Sequence, residues 1–224
     1  YWTSRNEYLA YKEAHPGYKS FNDGKVSGGD VKYLAQGNPD HQIGAGSGTK
    51  EDHGDLVYLG NSNARYLYGF NISAQWKGFD FSMMFQGVGK RKIMIDAAAI
   101  APFYTTYQMP WTIHRDYWTE DNQDAFWPRL YDYKTNNGGE NFNFRPSDKW
   151  VQDASYLRLK NITLGYTIPY TKKYVNSVRV YITGNDIWEH SDLLKVFDPE
   201  AGNNVGRNYY PFFRTWAFGV NITF

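Results

Sequence analysis

Five histidines, His15, His41, His53, His114 and His190, are the first residues in this chain that could ligate a metal or move a proton. None pairs with another at the i, i+4 spacing that sets two imidazoles on one side of a metal, so they read as solvated loop residues. Asp116, Glu120, Asp121 and Asp124 have the residue type of a glycosidase acid–base pair, but no strand pattern fixes a carboxylate separation there, and they too read as a solvated loop. Gly44-Ala45-Gly46-Ser47-Gly48 is rich in glycine, yet a phosphate cradle needs a strand before it and a helix after it, and neither pattern is present. The absence of cysteine removes disulfide frameworks and thiolate metal sites. No catalytic residue, metal site or cofactor is expected, and the chain does not read as an enzyme. Trp111, Trp118, Trp127 and Tyr131 have a different use: aromatic faces stack on sugar rings and on peptides, which would make these four the lining of a ligand path. The same rings would serve equally to pack their loop on itself or against a partner protein, burying a large area at modest entropic cost.

The elements that must hold such residues show best in the last nine positions. Trp216, Phe218, Val220, Ile222 and Phe224 share one parity and Ala217, Gly219, Asn221 and Thr223 the other. A strand presents one face per parity, so this one has an apolar aromatic face and a face of small polar groups without charge. That suits a membrane barrel wall with lipid outside and a polar lumen inside. Hydrophobic residues make up 42% of the chain and mean hydropathy is −0.66, values of a rather polar protein, whereas aromatics reach 19%, with 20 Tyr, 14 Phe and 8 Trp. A barrel with aromatic girdles and long polar loops reconciles the two. The longest apolar runs fall far short of the 18 or so residues of a spanning helix. With 24 basic against 23 acidic residues, nothing points to nucleic acid. The sequence opens at Tyr1-Trp2-Thr3 without an initiator Met and reads as a mature fragment or partial chain, so missing targeting signals carry little weight.

Alternation predicts a hairpin over 66–76 and 79–89, with Tyr66, Tyr68, Phe70, Ile72, Trp76, Phe79, Phe81 and Phe85 facing lipid, a tight turn at Lys77-Gly78, and Met84 as a misfit on the polar face. Further strands are expected over 156–168, 178–187 and 213–224, the last with Trp216, Phe218, Val220 and Ile222 toward lipid. Leu157 and Leu159 are out of phase with Ile162, Leu164, Tyr166 and Ile168, which predicts a bulge near Lys160-Asn161. Long loops are expected at 90–155 and 188–212, and residues 1–65 as a loop region with at most one strand. Short connections at 77–78 and 169–177 alternate with the long ones, so the short turns and the C-terminus belong on the inner side and the long loops outside. Asn71-Ile72-Ser73, Asn161-Ile162-Thr163 and Asn221-Ile222-Thr223 repeat the same phase and read as lumen-facing polar groups rather than glycosylation sites. About eight strands close even a small barrel, so these five need the remainder of a wall.

Several stretches resemble the C-terminal end of SusC-like TonB-dependent transporters of the RagA type from Bacteroidetes outer membranes. They are Tyr58 to Asn71, Lys77-Gly78-Phe79-Asp80, Phe85-Gln86-Gly87, Asp116-Tyr117-Trp118-Thr119-Glu120 and Trp127-Pro128-Arg129-Leu130. The strongest is Ser155 to Tyr166, followed by Asp198-Pro199-Glu200 and the closing strand. The likeness runs over about residues 55–224. Ala64 stands where the family usually has Pro, and Gly29-Asp30-Val31-Lys32-Tyr33 is similar to the start of a family loop whose Asp-x-Asn-x-Asp-Gly continuation is missing here, so no calcium role is carried over. The resemblance implies an all-β fold, the C-terminal antiparallel strands of a plugged transmembrane barrel of about 22 strands, with the plug outside this chain. It implies TonB-dependent import of oligosaccharides or peptides across the bacterial outer membrane, multi-pass, with long loops extracellular and the C-terminus periplasmic. It also implies a SusD-like surface lipoprotein as lid, TonB engaged through the N-terminal part, and a barrel-assembly signal at Gly219, Ile222 and Phe224. Two alternatives stand beside it: a soluble aromatic-rich β-sandwich that binds carbohydrate, and an iron-chelate receptor of the same barrel class.

Overall fold

The computed structural model describes residues 1–132, 142–172, 174–201 and 212–224, and the chain divides into two compact units. One comprises 60–95 and 151–224 and holds the strands. β1 (Tyr66–Trp76) and β2 (Phe79–Gly89) are joined by the Lys77-Gly78 turn, and β5 (Tyr156–Lys172), β6 (Val175–Ser191) and β7 (Thr215–Thr223) follow in an antiparallel sheet of order β1-β2-β5-β6-β7. β3 (Lys92–Met94) and β4 (Val151–Asp153) form a separate two-stranded ribbon. Buried apolar residues of this unit lie in the strand ends, the ribbon and the 192–201 segment: Val88, Ile93, Ile95, Tyr156, Leu159, Leu193 and Phe197. No helix among the described residues is long and apolar enough to cross a membrane.

The bulge falls where the residue phase places it. Met84 pairs with Asn161 and Phe85 with Leu159, so Lys160 is the extra residue, and Leu157 and Leu159 join the face of Ile162. β6 breaks at the same level, with Leu159 opposite Trp188 and Asn161 opposite Asn185; Asp186 there takes a φ of 51°. The expected bounds of three strands are corrected. β5 runs to Lys172 instead of ending at Ile168, and β6 spans 175–191 instead of 178–187, so the expected connection 169–177 shrinks to 173–174. Pro169 does not stop β5 because strand pairing with β2 ends at Tyr166 and the turn takes only one more bond, from the Thr167 amide to the Gly78 carbonyl; beyond that no strand among the described residues pairs with this side of β5, and a proline without an N–H is tolerated at such an edge. At its other end β6 continues because Trp188 to Ser191 pair with Leu159 to Tyr156. β7 is two residues shorter at its start and one at its end than expected. Residues 202–211 of the expected loop 188–212 lie outside the described residues.

The other unit comprises 1–59 and 96–150. Residues 1–65 hold no strand among those described; instead α1 (Arg5–Ala14) is closed by Ser4, whose side chain accepts from the Glu7 amide, while Glu7 accepts from Thr3. Ser4 is the N-cap, and Glu7 reaches back past it to the Thr3 amide and hydroxyl. Tyr8 buries against Trp2, Tyr18, Val26 and Ile43, with Trp2 and Tyr8 edge-on at 5.2 Å. The expected loop 90–155 is likewise partly ordered: it contains β3, β4, α2 (Ala97–Ile100) capped by Asp96, and three short 3-10 turns.

Candidate functional site

Register makes the strand faces continuous across the five-stranded sheet. One face carries Tyr66, Tyr68, Phe70, Ile72 and Trp76, then Phe79, Phe81, Met83 and Phe85, then Ile162, Leu164, Tyr166 and Ile168, then Val178, Val180 and Ile182, and last Trp216, Phe218, Val220 and Ile222. All twelve positions expected on the apolar side lie on it. β1 is exposed at every residue, and the four β7 positions are 51–80% exposed. Phe81 and Phe85 are half-buried, the latter stacked on Phe70 at 4.7 Å. An apolar patch this extensive and uncovered marks an interaction surface.

The opposite face is polar, and several of its groups pair with one another across strands. Asn161 donates to Asn185 at 2.9 Å, Thr163 and Thr183 share a bond of 2.9 Å, and Asn185 donates to Thr215 at 3.3 Å. This face is not free of charge, as the alternation alone suggests: Arg179 of β6 grips Asp80 of β2 with two bonds of 2.8 and 2.5 Å. The pair crosses β5 above Gly165, where a Cβ would fall 2.5 Å from the Asp80 carboxylate. Tyr181 covers Gly219 in the same way, so the glycine of the expected assembly signal lies under a ring on the polar face, while Ile222 is on the apolar face and Phe224 follows β7, 80% exposed. Met84 does sit among these polar groups, opposite Asn71 and Asn161.

Where β5 bulges, Arg158 is buried and ion-paired with Glu189, with Asp198 at 2.7 Å and with Glu200 at 3.1 Å. Lys160 bridges Asp186 at 2.7 Å and Glu200 at 3.2 Å, and Arg91 donates to the Pro199 carbonyl at 2.8 Å. The Arg158-Leu159-Lys160 and Asp198-Pro199-Glu200 stretches thus interlock as one charge network fastening the loop after β6 to the strands. Sequence reading took each as a separate motif. Opposite charges forty residues apart give no local signal of contact.

In the other unit, Trp118 (4% exposed) and Trp127 (2%) are joined by a backbone bond of 2.9 Å, and Trp127 stacks on Trp150 at 5.7 Å. Trp111 is 41% exposed. Tyr131 meets Phe142 edge-on at 5.4 Å, and burial with the nearby Asp30 carboxylate pushes its hydroxyl pKa up. The four expected aromatics are therefore placed differently, two inside and two nearer the surface. His114 corrects the expectation of solvated histidines: it is buried, its Nδ1 accepts from the Trp111 amide at 2.8 Å, its Nε2 is 2.6 Å from the Ile100 carbonyl, and burial lowers its pKa. Asp116 accepts from the Phe126 amide and the Asn122 side chain, shaping a turn instead of facing a second carboxylate. Asp30 accepts from the Ser27 amide and from Asn143, and burial raises its pKa. No group of three or more metal-ligating side chains forms among the described residues.

No protein-family model matches the chain. Among curated proteins, TonB-dependent receptor P26 of Formosa agariphila is 29% identical over 213 residues, 85% of this chain and 21% of its own length. TonB-dependent receptor P3 of the same organism is 26% identical over 189 residues, 76% of this chain and 17% of its own length. The chain thus spans 21% or less of these relatives. Among solved structures, the RagAB peptide importer in its closed-closed state aligns with TM-score 0.59 at 23% identity, covering 93% of this chain and 20% of that one. Its open-open state gives 0.57 at 22%, covering 92% and 20%. A further RagAB peptide transporter structure gives 0.52 at 27%, covering 70% and 17%. The chain is homologous to part of these TonB-dependent receptors, and its antiparallel strands share the fold of part of the RagAB importer.

Proposed function

We propose that this chain, a homologue of TonB-dependent receptors, is the C-terminal wall of an outer-membrane barrel that imports nutrients with TonB supplying the energy. The observation that carries the reading is the sheet's two-sidedness: five strands share an exposed apolar, aromatic-rich face, while the other face carries polar groups, several of which pair with one another across strands. Lipid covers such a face without further protein, and a polar lumen suits the other. A soluble carbohydrate-binding sandwich would need a second sheet against the aromatic face; β1 is open along its entire length.

In this reading the turn at 77–78, the connection between β5 and β6 and the C-terminus lie in the periplasm, and the segments after β2 and β6 lie outside. A SusD-like lipoprotein closes the outer mouth, and the remaining wall, plug and TonB contact come from sequence beyond these strands. Transport proceeds by capture and release without covalent chemistry. Peptide is the ligand class to test first, because the RagAB neighbours are peptide importers, with oligosaccharide second. Trp111 and Tyr131, nearer the surface than Trp118 and Trp127, are the aromatics we assign to ligand or lid contact.

Native mass spectrometry of the detergent-solubilised complex containing this chain tests the assignment. Co-purification with plug-and-barrel sequence and a lipoprotein is expected, and the mass of a bound ligand would identify its class. A water-soluble 26.0 kDa monomer would overturn it in favour of a glycan-binding module.

A further inference from the structure

The apolar face ends at both rims of the β1–β2 hairpin in the same local device. At the turn, Lys77 Nζ lies 5.0 Å from the centre of the Trp76 ring; at the opposite rim, Lys90 Nζ lies 5.6 Å from the centre of Tyr66. Both distances are within cation–π range. Both lysines are exposed, and both occupy left-handed backbone, with φ of 47° and 50°. That conformation is costly for a residue with a Cβ and is ordinarily given to Gly or Asn, yet each time the chain leaves the strand on a lysine whose amine folds back over the ring beside the pairing. Two other lysines of this unit are spent on carboxylates, Lys92 on Asp153 and Lys160 on Asp186 and Glu200, while Lys195 is exposed in the segment after β6, away from any strand rim. Among the described residues, Lys77 and Lys90 form no ion pair.

Spacing gives the two amines a physical address. Tyr66 and Trp76 are the first and last residues of an 11-residue strand; at a tilt near 40° they stand roughly 25 Å apart along the barrel axis, the height of the apolar band. Aromatic rings at such boundaries sit at headgroup level, lysine stems reach along apolar surface to place the ammonium in the polar layer, and the chemistry meeting them there is lipid phosphate.

We propose that Lys77 and Lys90 each bind the phosphate of an anionic lipid headgroup, one in each leaflet, and so fix the depth of this hairpin in the bilayer. The proposal rests on the reading of the aromatic face as lipid-facing.

The complete protein, reconstituted in nanodiscs of equal phosphatidylglycerol and phosphatidylcholine and then examined by native mass spectrometry, should retain phosphatidylglycerol preferentially. Lys77→Asn and Lys90→Asn remove the amines while suiting the left-handed backbone. Each should lower the phosphatidylglycerol to phosphatidylcholine ratio about fivefold, whereas Lys50→Asn, an exposed lysine of the other unit, should leave it unchanged. An unchanged ratio in the Lys77→Asn/Lys90→Asn double variant, or an equal fall in Lys50→Asn, would overturn the proposal while leaving the wall assignment intact. A protein that does not enter the nanodisc at all would overturn the wall assignment itself.

Discussion

At the residue scale, direction decides consequence. Ile72, Phe81 and Ile222 point to the apolar face, and Asn71 and Thr163, their neighbours in sequence or register, to the polar one. A lysine near the middle of a lipid-facing wall costs roughly 2–4 kcal/mol, whereas a lumen-side lysine does not. Ile72→Lys, Phe81→Lys and Ile222→Lys should therefore reduce the amount of assembled, protease-resistant barrel recovered from outer membranes, and Asn71→Lys and Thr163→Lys should leave it near wild type. Equal losses from the two sets would remove the face assignment. His114 belongs to the other unit and titrates by a different logic. Its Nδ1 accepts from the Trp111 amide, so the folded ring is neutral and donates from Nε2 to Ile100. Burial holds its pKa below the ordinary 6.5. A base with a depressed folded pKa contributes stability that is present above the unfolded value and lost as pH falls below it, because the unfolded chain then takes up a proton that the fold refuses. Tryptophan-fluorescence unfolding midpoints should fall between pH 7.5 and 5.5, with a flatter profile in His114→Gln; a wild-type midpoint that does not move would contradict the account.

At the element scale, one residue sets the phase of half a strand. Lys160 is the extra residue of the β5 bulge, and it lets Leu157 and Leu159 share a face with Ile162 while Arg158 turns toward Glu189, Asp198 and Glu200. Because side chains alternate with a period of two, removing one residue transfers every side chain on one side of it to the opposite face. Deletion of Lys160 should bring Arg158 to the apolar face and the two leucines to the polar one, with loss of assembled barrel measured against wild type in detergent extracts. Replacement by Ala, which keeps the residue count, should retain assembly; a deletion as well tolerated as Lys160→Ala would mean that the bulge does not set the register. The bulge itself was legible, because the pair Leu157 and Leu159 and the opposite-parity run Ile162, Leu164, Tyr166 and Ile168 cannot both face one way without it. The extension of β5 through Pro169 was not, since a proline's effect depends on whether a partner strand asks for its missing N–H, and that is known only once β2 is seen to stop at Phe79 opposite Tyr166.

At the scale of the whole molecule, the sheet presents β1 and β7 as its outer strands, and the curated relatives are about five times as long as the stretch matched here. Both facts fit a wall that continues into further strands. Strand identity, the two-faced character of the sheet and the tight turn at Lys77-Gly78 were determined by the sequence alone, since a period of two over ten residues and a glycine able to take φ of 89° are local properties. The N-cap at Ser4 is equally local, although it lies outside the strand pattern that the rest of the chain announces. The tertiary structure alone decided the long-range pairings: Arg179 with Asp80 across Gly165, Arg158 with the Asp198-Pro199-Glu200 segment, and the burial of Trp118, Trp127 and His114. Each of these depends on which groups meet after the chain has folded back on itself. A charge, a tryptophan or a histidine carries the same residue type whether it meets water or a partner, and only the fold supplies the partner.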